Sequence, residues 1–375
     1  MNILLCSPCR LDRTLGAAQT LMDLADALGA LGHTCDLVGP GVLGASAEDY
    51  PARLQAFLRA EAGGYDVVDL DYKRCVLDEQ TARAGPLFVA RCQLLIHHYL
   101  RIPIPPMPTL RGRLRDRVLG PRDRHVLRAR IQRADATLAV AHRIVVLNDR
   151  DRDALARHGH AAEKIHVIPN GMTADRLDAF AAVPEAVPEG AVVAFIGMFG
   201  PRKGAADFPD LVRRVAASVP EVRFRLLGTR GPLRTAEAVE GLFPKALRRH
   251  VEVIPTFAPE ALPELLAPCA VGVFPSYVEG FGLGVLEMLA AAMPVVAYDA
   301  PGPPVMLPPE ALVPRGDTAA MSERVIALLR DRAALAGARR RARQQAQTFT
   351  WARSARRLAD AYEDALSTHP NPHSA

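Results

Sequence analysis

Strand-like runs alternate with helix-like runs along nearly the whole chain, and the alternation occurs in two series. A strand that is followed by a helix usually returns to the sheet parallel to its predecessor, which predicts parallel sheets covered by helices on both faces. At 375 residues the chain is about two and a half times as long as a typical ~150-residue domain. The predicted fold class is therefore α/β, with two similar halves and a ligand cleft between them at the carboxyl ends of the strands. The predicted strands are 2–7, 34–38, 65–70, 87–92, 143–147 and a short run from Lys164, then 192–199, 222–227, 251–257, 271–275, 294–298 and 311–314.

The composition changes after Met172, which sets the predicted domain boundaries. Residues 173–190 are rich in alanine, proline and acids, and this composition is typical of a linker with a short helix. A nearly continuous helical pattern covers 319–366, with a break at Thr348–Thr350. The predicted parts are a first domain 1–172, a linker 173–190, a second domain 191–347, a helix 348–366 that packs across the domains, and a disordered tail 367–375.

The net charge of +5 would fit a nucleic acid or an anionic membrane as partner. Only four of the 46 basic residues are lysines, a bias that resembles coding preference more than selection at one surface. No basic module interleaved with aromatics is present, so no nucleic-acid partner is expected. Nine arginines between Arg111 and Arg133 follow the proline-rich loop 101–108. They form either a solvated helix face or a docking surface for an anionic acceptor or for membrane headgroups.

The sequence predicts a cytoplasmic protein, with a possible peripheral place at the inner membrane face through 111–133. No run approaches the ~18–20 apolar residues of a membrane span, and the run 1–6 is too short and uncharged for a signal peptide.

The six cysteines are expected to be buried free thiols, although Cys6 and Cys9 have the CxxC spacing of a metal or redox site. Asp69 and Asp71 suggest either a DxD metal motif or a strand end emerging into solvent, and 149–153 either such a motif or a helix start.

Two acids eight positions apart, Glu279 and Glu287, bracket a glycine-rich turn. The turn follows the apolar run 271–275 and precedes a helical run that begins near Leu283, so it is predicted to join a strand to a helix. The first amides of such a helix have no partners within it and suit polar or anionic ligand groups. A carboxylate can accept hydrogen bonds from both hydroxyls of a vicinal diol. The alternative is an ordinary turn, with Glu287 on a solvated face.

A glycine-bracketed basic loop, 197–204, follows the first strand of the second half. It carries Arg202 and Lys203, and two cations on a tight loop suit a diphosphate. The alternative is a plain basic turn.

In this order, these pieces resemble retaining glycosyltransferases of family 4, which have the GT-B architecture of two facing Rossmann-like domains. Glu279 and Glu287 are similar to the E-x7-E signature of that family, and Ser276 and Phe281 fit its surroundings. Further matching segments are Gly16-Ala17-Ala18, Ile168-Pro169-Asn170-Gly171, Lys203-Gly204 and Gly228-Thr229. The resemblance covers nearly the whole chain.

The resemblance implies a role for each matching residue. Glu287 would bind the donor ribose and Glu279 the donor sugar, while Arg202 and Lys203 would neutralise the diphosphate. The remaining implied donor contacts are the Gly16 and Ala17 loop, Thr229, and the amides of Phe281, Gly282 and Leu283. Fixed cations and helix amides would then do the work of a metal, so no cofactor or metal is expected.

Two positions depart from the family pattern. Met198 stands where an arginine is common in the phosphate loop, and Arg202 is the candidate to supply that charge. Gln93 stands where a histidine is common, so His97 or His98 is the candidate to reach the donor sugar, unless both are plain loop residues.

The implied activity is transfer of a sugar from a nucleotide-sugar to an acceptor with retention of configuration. The acceptor would be a cell-envelope saccharide, a lipid-linked glycan or a small molecule. The alternatives are a nucleotide-sugar epimerase of GT-B fold and a catalytically degenerate binding subunit.

Overall fold

The computed structural model describes residues 1–368 except 14, 47, 74–76, 78 and 84, and it leaves the side chains of 80, 83, 110, 111 and 113–121 undescribed. Three predictions therefore fall wholly or partly outside the described residues. These are the thiol of Cys75, the disordered tail beyond residue 368, and the arginine docking surface, which includes Arg111 and Arg113.

Twelve strands form in the described residues, one for each predicted run. They are β1 Asn2–Cys6, β2 Thr34–Val38, β3 Val67–Asp71, β4 Leu87–Cys92, β5 Arg143–Val146, β6 Ile165–Val167, β7 Val192–Ile196, β8 Arg223–Leu227, β9 Val251–Ile254, β10 Val271–Phe274, β11 Val295–Tyr298 and β12 Leu312–Val313. Several predicted strands were a few residues too long at their carboxyl ends, where the chain already turns into the loops.

Helices connect most of these strands. They are α1 Gly16–Gly29, α2 Tyr50–Glu61, α3 Glu79–Arg83, α4 Leu110–Val140, α5 Asp149–Arg157, α6 Ala174–Ala181, α7 Phe208–Ser218, α8 Ala236–Glu240, α9 Leu262–Leu266, α10 Leu283–Ala290, α11 Thr318–Arg330, α12 Arg332–Ala346 and α13 Trp351–Thr368. At the start of α5 the capping side chain is Asn148, which accepts the amide of Asp151 at 2.8 Å. No described helix has the length and apolarity to cross a membrane.

The strands form two six-stranded sheets, and every strand pair is parallel. The first sheet has the order β2-β1-β3-β4-β5-β6, and the second has the order β12-β11-β10-β7-β8-β9. The predicted α/β class with parallel sheets is confirmed. The chain divides into a first unit of Met1–His97, Asp123–Thr173 and the chain from Phe349 onward, and a second unit of His98–Arg122 and Ala174–Thr348.

A buried charge network attaches α13 to the first sheet. Arg91 on β4 forms an ion pair with Asp69 on β3, and the Tyr362 hydroxyl donates to the Asp69 carboxylate at 2.5 Å. Asp69 is 1% exposed and Tyr362 is also 1% exposed. The prediction that Asp69 emerges into solvent is therefore wrong, because an arginine and a tyrosine satisfy its charge inside the unit.

Apolar side chains of α13 complete the same core. Trp351 and Leu358 are buried in one cluster with Leu24 of α1 and Val89 of β4. The first unit therefore takes part of its core from the last helix.

In the second unit, two arginines on α12 donate hydrogen bonds to the predicted linker. Arg339 is fully buried, and its guanidinium donates to the carbonyls of Pro184, Glu185 and Cys269 at 2.9–3.1 Å. Arg343 donates to three further carbonyls of the segment 180–183. Segment 180–185 therefore has a fixed path against α12.

The helical pattern of 319–366 contains one break that the sequence reading missed. Asp331 has non-helical φ and ψ values of −103° and 92°, and its carboxylate accepts the amide of Ala334 at 2.9 Å. An aspartate in this position is an N-cap that starts a new helix. The C-terminal helix also runs to Thr368, two residues beyond the predicted end.

The described cysteines, five of the six, are all free thiols. Cys6, Cys92 and Cys269 are buried, as expected, whereas Cys9 and Cys35 are partly exposed. Cys6 and Cys9 do not form a disulfide.

We predict that Tyr362→Phe will lower the free energy of unfolding by about 1.5–3 kcal/mol, because a buried carboxylate loses a charge-assisted hydrogen bond. The matched control is Tyr65→Phe, since the Tyr65 hydroxyl donates to Asp36 at 2.9 Å in an exposed setting. That bond should contribute under about 1 kcal/mol. Thermal and urea unfolding followed by circular dichroism measure both effects, and equal losses would contradict the prediction.

Candidate nucleotide-sugar site

The second sheet has a topological switch point between β7 and β10. These strands are neighbours in the sheet, but the chain leaves β7 toward β8 and leaves β10 toward β11 on the opposite side. Ligands of parallel α/β sheets bind at such a point, outside the carboxyl ends of the strands. The loops after β7 and β10 meet there, and the Tyr277 amide donates to the Arg202 carbonyl at 2.8 Å.

Two glycines allow this close packing of the loops. Gly204 has φ +77°, and a Cβ at that position would lie 2.3 Å from the Pro275 carbonyl oxygen. Gly282, the N-cap residue of α10, has φ +98°. Because side chains strain the backbone at positive φ, glycine is the residue that fits both turns.

The predicted cations and the first predicted acid form one cluster at the switch point. Lys203 Nζ lies 2.5 Å and Arg202 Nη1 lies 3.0 Å from Oε2 of Glu279. Lys203 Nζ also lies 4.4 Å from the centre of the Phe274 ring, a cation–π contact. The Glu279 side chain is 13% exposed. Both cations are therefore paired with an acid of the same unit, and their binding of a diphosphate stays a prediction.

Burial and charge act in opposite directions on this cluster. Burial lowers the pKa of Lys203, and the neighbouring Glu279 carboxylate opposes that shift. Burial acts to raise the pKa of Glu279, but the charges and hydrogen bonds of Lys203 and Arg202 outweigh it and hold that pKa below its ordinary value. Glu279 is therefore ionised at neutral pH and holds both cations in place.

The second acid, Glu287, is paired with a residue that the sequence reading did not select. Glu287 lies in the second turn of α10, and its Oε1 accepts from Arg176 Nη2 on α6 at 2.5 Å. Its side chain is 17% exposed, so the alternative of a solvated face is wrong. Burial raises the pKa of Glu287, and the Arg176 charge opposes the shift. Arg176 was missed because it lies in the predicted linker, where an arginine carried no motif.

A partly buried acid, Asp207, connects the two loops. The Asp207 carboxylate accepts the hydroxyls of Tyr277 and Tyr298 at 2.8 and 2.9 Å. The Asp207 amide in turn donates to the carbonyl of Gly204, at 2.9 Å. One residue thus ties the loop after β7 to the loop after β10 and to β11.

The amides predicted to touch the donor lie around the start of α10. Leu283 is the first residue of that helix, as predicted, and Gly282 precedes it. Phe281 is buried, and its backbone is covered by Gly302, where a Cβ would lie 2.7 Å from the Phe281 carbonyl oxygen. A Cβ at Gly282 would lie 3.6 Å from the Glu279 Cγ, so the start of α10 lies beside Glu279.

Two further predicted positions of the second unit lie in the loops after β7 and β8. Thr229 is fully buried, its hydroxyl has no partner among the described residues, and its carbonyl accepts the Phe199 amide at 3.0 Å. Met198, which stands where the family commonly has an arginine, is 50% exposed and packs on Gly231. Methionine is uncharged, so it cannot supply the charge of that arginine. Arg202, which contacts Glu279, remains the candidate for that charge.

The predicted donor contacts of the first unit lie at the carboxyl end of β1. Gly16 and Ala17 are exposed and form the first turn of α1, not a loop before it. Their closure over a diphosphate stays a prediction.

The positions after β4 have partners inside the first unit. The side-chain oxygen Oε1 of Gln93 accepts a hydrogen bond from Asn170 Nδ2 at 3.2 Å. His97 is 2% exposed, and its Nε2 lies 2.8 Å from Asp135. A contact of His97 or His98 with the donor sugar stays a prediction.

Comparison with known proteins identifies similar sequences and folds. Residues 190–331 match the family model described as "Glycosyl transferases group 1". Sucrose-phosphate synthase from Thermosynechococcus elongatus superposes with a TM-score of 0.74 at 22% identity, covering 98% of this chain and 99% of that one. HepE of Anabaena, solved in complex with UDP-glucose, superposes with a TM-score of 0.70 at 16% identity, covering 97% of this chain and all of that one. The fold is GT-B.

Curated relatives give the chain a coarse functional class. The D-inositol 3-phosphate glycosyltransferase of Streptomyces avermitilis is 29% identical over 91% of this chain and 78% of its own length. Among the relatives of that name, the matches span between about half and four fifths of the relative's length. Together with the match over 190–331, these findings support a glycosyltransferase of GT-B fold.

We predict that Glu279→Gln will destabilise the protein by more at pH 7 than at about pH 3. The folded-state pKa of Glu279 is depressed, so its ionised form contributes stability above the unfolded pKa of about 4.3, and that stability is lost as the pH falls through the folded pKa. The loss at pH 7 should be about 1.5–3 kcal/mol. Unfolding curves at a series of pH values measure it.

Glu260→Gln is the control for this pH series, because Glu260 is an exposed acid of the same unit. It should change stability little at any pH. A gap between wild type and Glu279→Gln that stays constant with pH would contradict the assigned ion pair.

Proposed function

We propose that the protein transfers a sugar from a nucleoside diphosphate donor to an acceptor hydroxyl, with retention of anomeric configuration and without a metal at the diphosphate. The observation that carries the proposal is the cluster of Lys203, Arg202 and Glu279 at the switch point, beside the amide end of α10. The likeness of residues 190–331 to group 1 glycosyl transferases supports the same reaction class.

The cluster suits a leaving diphosphate. During transfer the bond between C1 of the sugar and the diphosphate oxygen breaks, a bond between C1 and the acceptor oxygen forms, and the hydroxyl proton passes to the released diphosphate. Negative charge grows on the diphosphate as the first bond breaks. Cations that are already fixed by Glu279 stabilise that charge with little reorganisation, as an electrostatically preorganised site does.

Glu287 suits the ribose of the donor. A carboxylate offers about four lone-pair positions, so the bond from Arg176 leaves acceptor capacity for a diol. The charge of Arg176 favours the ionised form of Glu287 against the effect of burial, and its hydrogen bond fixes the rotamer of that carboxylate. In this proposal Glu279 binds the donor sugar and positions the two cations that contact the diphosphate. Glu287 binds the ribose of the nucleoside.

The names of relatives suggest which ligands to test first. UDP-glucose is bound in the HepE structure, and D-inositol 3-phosphate is in the name of the curated relatives. We therefore propose uridine nucleotide donors and small phosphorylated polyols as the first screen, with lipid-linked and cell-envelope saccharides as the second.

Product analysis tests the reaction. We expect a donor-and-acceptor screen followed by NMR to show a glycoside whose anomeric configuration equals that of the donor, together with free nucleoside diphosphate. The comparisons do not favour the epimerase or the non-catalytic subunit. Altered donor formed without any acceptor would instead indicate an epimerase, and nucleotide binding without turnover throughout the screen would indicate a binding subunit.

We predict that Lys203→Ala will weaken nucleoside diphosphate binding by roughly 10- to 150-fold, the equivalent of a charge-assisted bond of ~1.5–3 kcal/mol. Glu287→Gln should weaken it by roughly tenfold, because an amide replaces the charged acceptor of the ribose. Isothermal titration calorimetry with uridine and guanosine diphosphates measures both, and added Mg²⁺ should leave the affinities unchanged.

Lys245→Ala is the matched control, because Lys245 is an exposed lysine of the same unit. Its affinity should equal that of the wild type. Unchanged affinity in both Lys203→Ala and Glu287→Gln would overturn the assigned site.

A further inference from the structure

A second cluster of chemically active side chains lies within the first unit, and the proposed reaction does not use it. It consists of His97 in the turn Ile96–Leu100 after β4, Asp135 on α4, and His158 and His160 just after α5. His97 Nε2 lies 2.8 Å and His160 Nε2 lies 3.0 Å from Oδ1 of Asp135. The rings of His97 and His158 meet edge to face, with centroids 4.7 Å apart.

The ligand atoms of this cluster are close enough for one metal ion. His97, Asp135 and His158 each offer one atom, and the three atoms lie within 4.8 Å of one another. Tetrahedral zinc, with ligand distances of about 2.0–2.1 Å, needs separations of roughly 3.3 Å between ligand atoms. Because His158 is exposed, rotation of its side chain can close that gap without moving the core.

The two ring nitrogens of His97 face different sides. His97 is 2% exposed, and its Nδ1 has no hydrogen-bond partner among the described residues. Nε2 is the nitrogen beside Asp135, so Nδ1 points to the other side of the ring. An ion beside Asp135 would therefore bind Nε2, with the ring proton on Nδ1.

The donor set favours a divalent transition metal over magnesium or calcium. Two imidazoles and one carboxylate suit zinc and also other first-row ions such as Fe(II), whereas magnesium and calcium prefer oxygen ligands throughout. Three protein ligands leave a fourth position for water, and the exposed side of the cluster at His158 admits both the ion and the water.

We infer that His97, Asp135 and His158 bind one Zn²⁺ ion, and that His160 holds the Asp135 carboxylate in place. The ligands come from the turn after β4, from α4 and from the end of α5, so the ion joins three segments of the first unit. Since these segments meet only in the folded protein, zinc binding stabilises the native state. In this inference His97 is a metal ligand, and His98 is the remaining one of the two histidines predicted to contact the donor sugar.

The test uses the full-length chain without an affinity tag, freed of metal by a chelator and then dialysed. Zn²⁺ alone is titrated by calorimetry and by thermal unfolding, and Co²⁺ is added to record its visible absorption, which reports low-symmetry coordination by protein ligands. We expect binding of one equivalent of Zn²⁺, a rise in the unfolding temperature, and a Co²⁺ spectrum that Zn²⁺ displaces.

Four variants separate this site from general zinc binding. His158→Ala removes an exposed ligand, so the metal-free protein should unfold near the wild-type temperature but lose the zinc-dependent rise. Asp135→Asn should lose it as well. His160→Ala should weaken zinc binding by roughly 10- to 100-fold, as removal of a group that orients a ligand does. His125→Ala, at an exposed histidine on α4, should behave like the wild type.

The absence of a zinc-dependent rise in the wild type would overturn the site. An equal rise in wild type and His158→Ala would do so too. Neither readout needs a sugar donor or an acceptor, so failure of the zinc site and failure of the proposed glycosyl transfer are separately visible.

Discussion

Parallel pairing of every strand is the constraint on which the rest of this structure depends. A parallel sheet needs a crossover after each strand, so helices cover both faces and all the loops at the carboxyl ends collect at one edge. In the second sheet the order β12-β11-β10-β7-β8-β9 reverses direction between β7 and β10. At that point the chain leaves the two neighbouring strands toward opposite sides of the sheet. Lys203 and Glu279, which are 76 positions apart in the sequence, meet there.

The contact between Lys203 and Glu279 combines a desolvation cost with a functional gain. Taking both charges out of water is unfavourable, and their attraction with the hydrogen bond from Arg202 offsets that cost. Each partner thereby favours the ionised form of the other. The cationic side chains of this cluster are already ordered before an anion binds. Flexible surface cations would instead lose side-chain entropy during binding.

The sequence predicted the fold well and the partners of its charges poorly. All twelve strands follow from mainly apolar runs, as is typical of parallel strands that helices cover on both faces. Glu279, Lys203 and the start of α10 were found since a motif fixes their spacing. Arg176, Asp207 and the buried pair of Asp69 with Arg91 were missed, because each partner is brought in by the tertiary fold and leaves no local pattern. The cap at Asp331 was readable, as an aspartate between two helical runs, but the strong helical periodicity around it concealed the break.

The placement of Tyr362 has a consequence for the order in which the protein becomes native during synthesis. Asp69 and Tyr362 are separated by 293 positions. At about 5–20 residues per second a ribosome needs on the order of 15–60 s to pass from one to the other. Throughout that interval the nascent first sheet lacks Tyr362 for its buried acid and Trp351 for its core. The first unit to be translated is thus the last to be completed, and its unfinished face is the surface that a chaperone would have to protect.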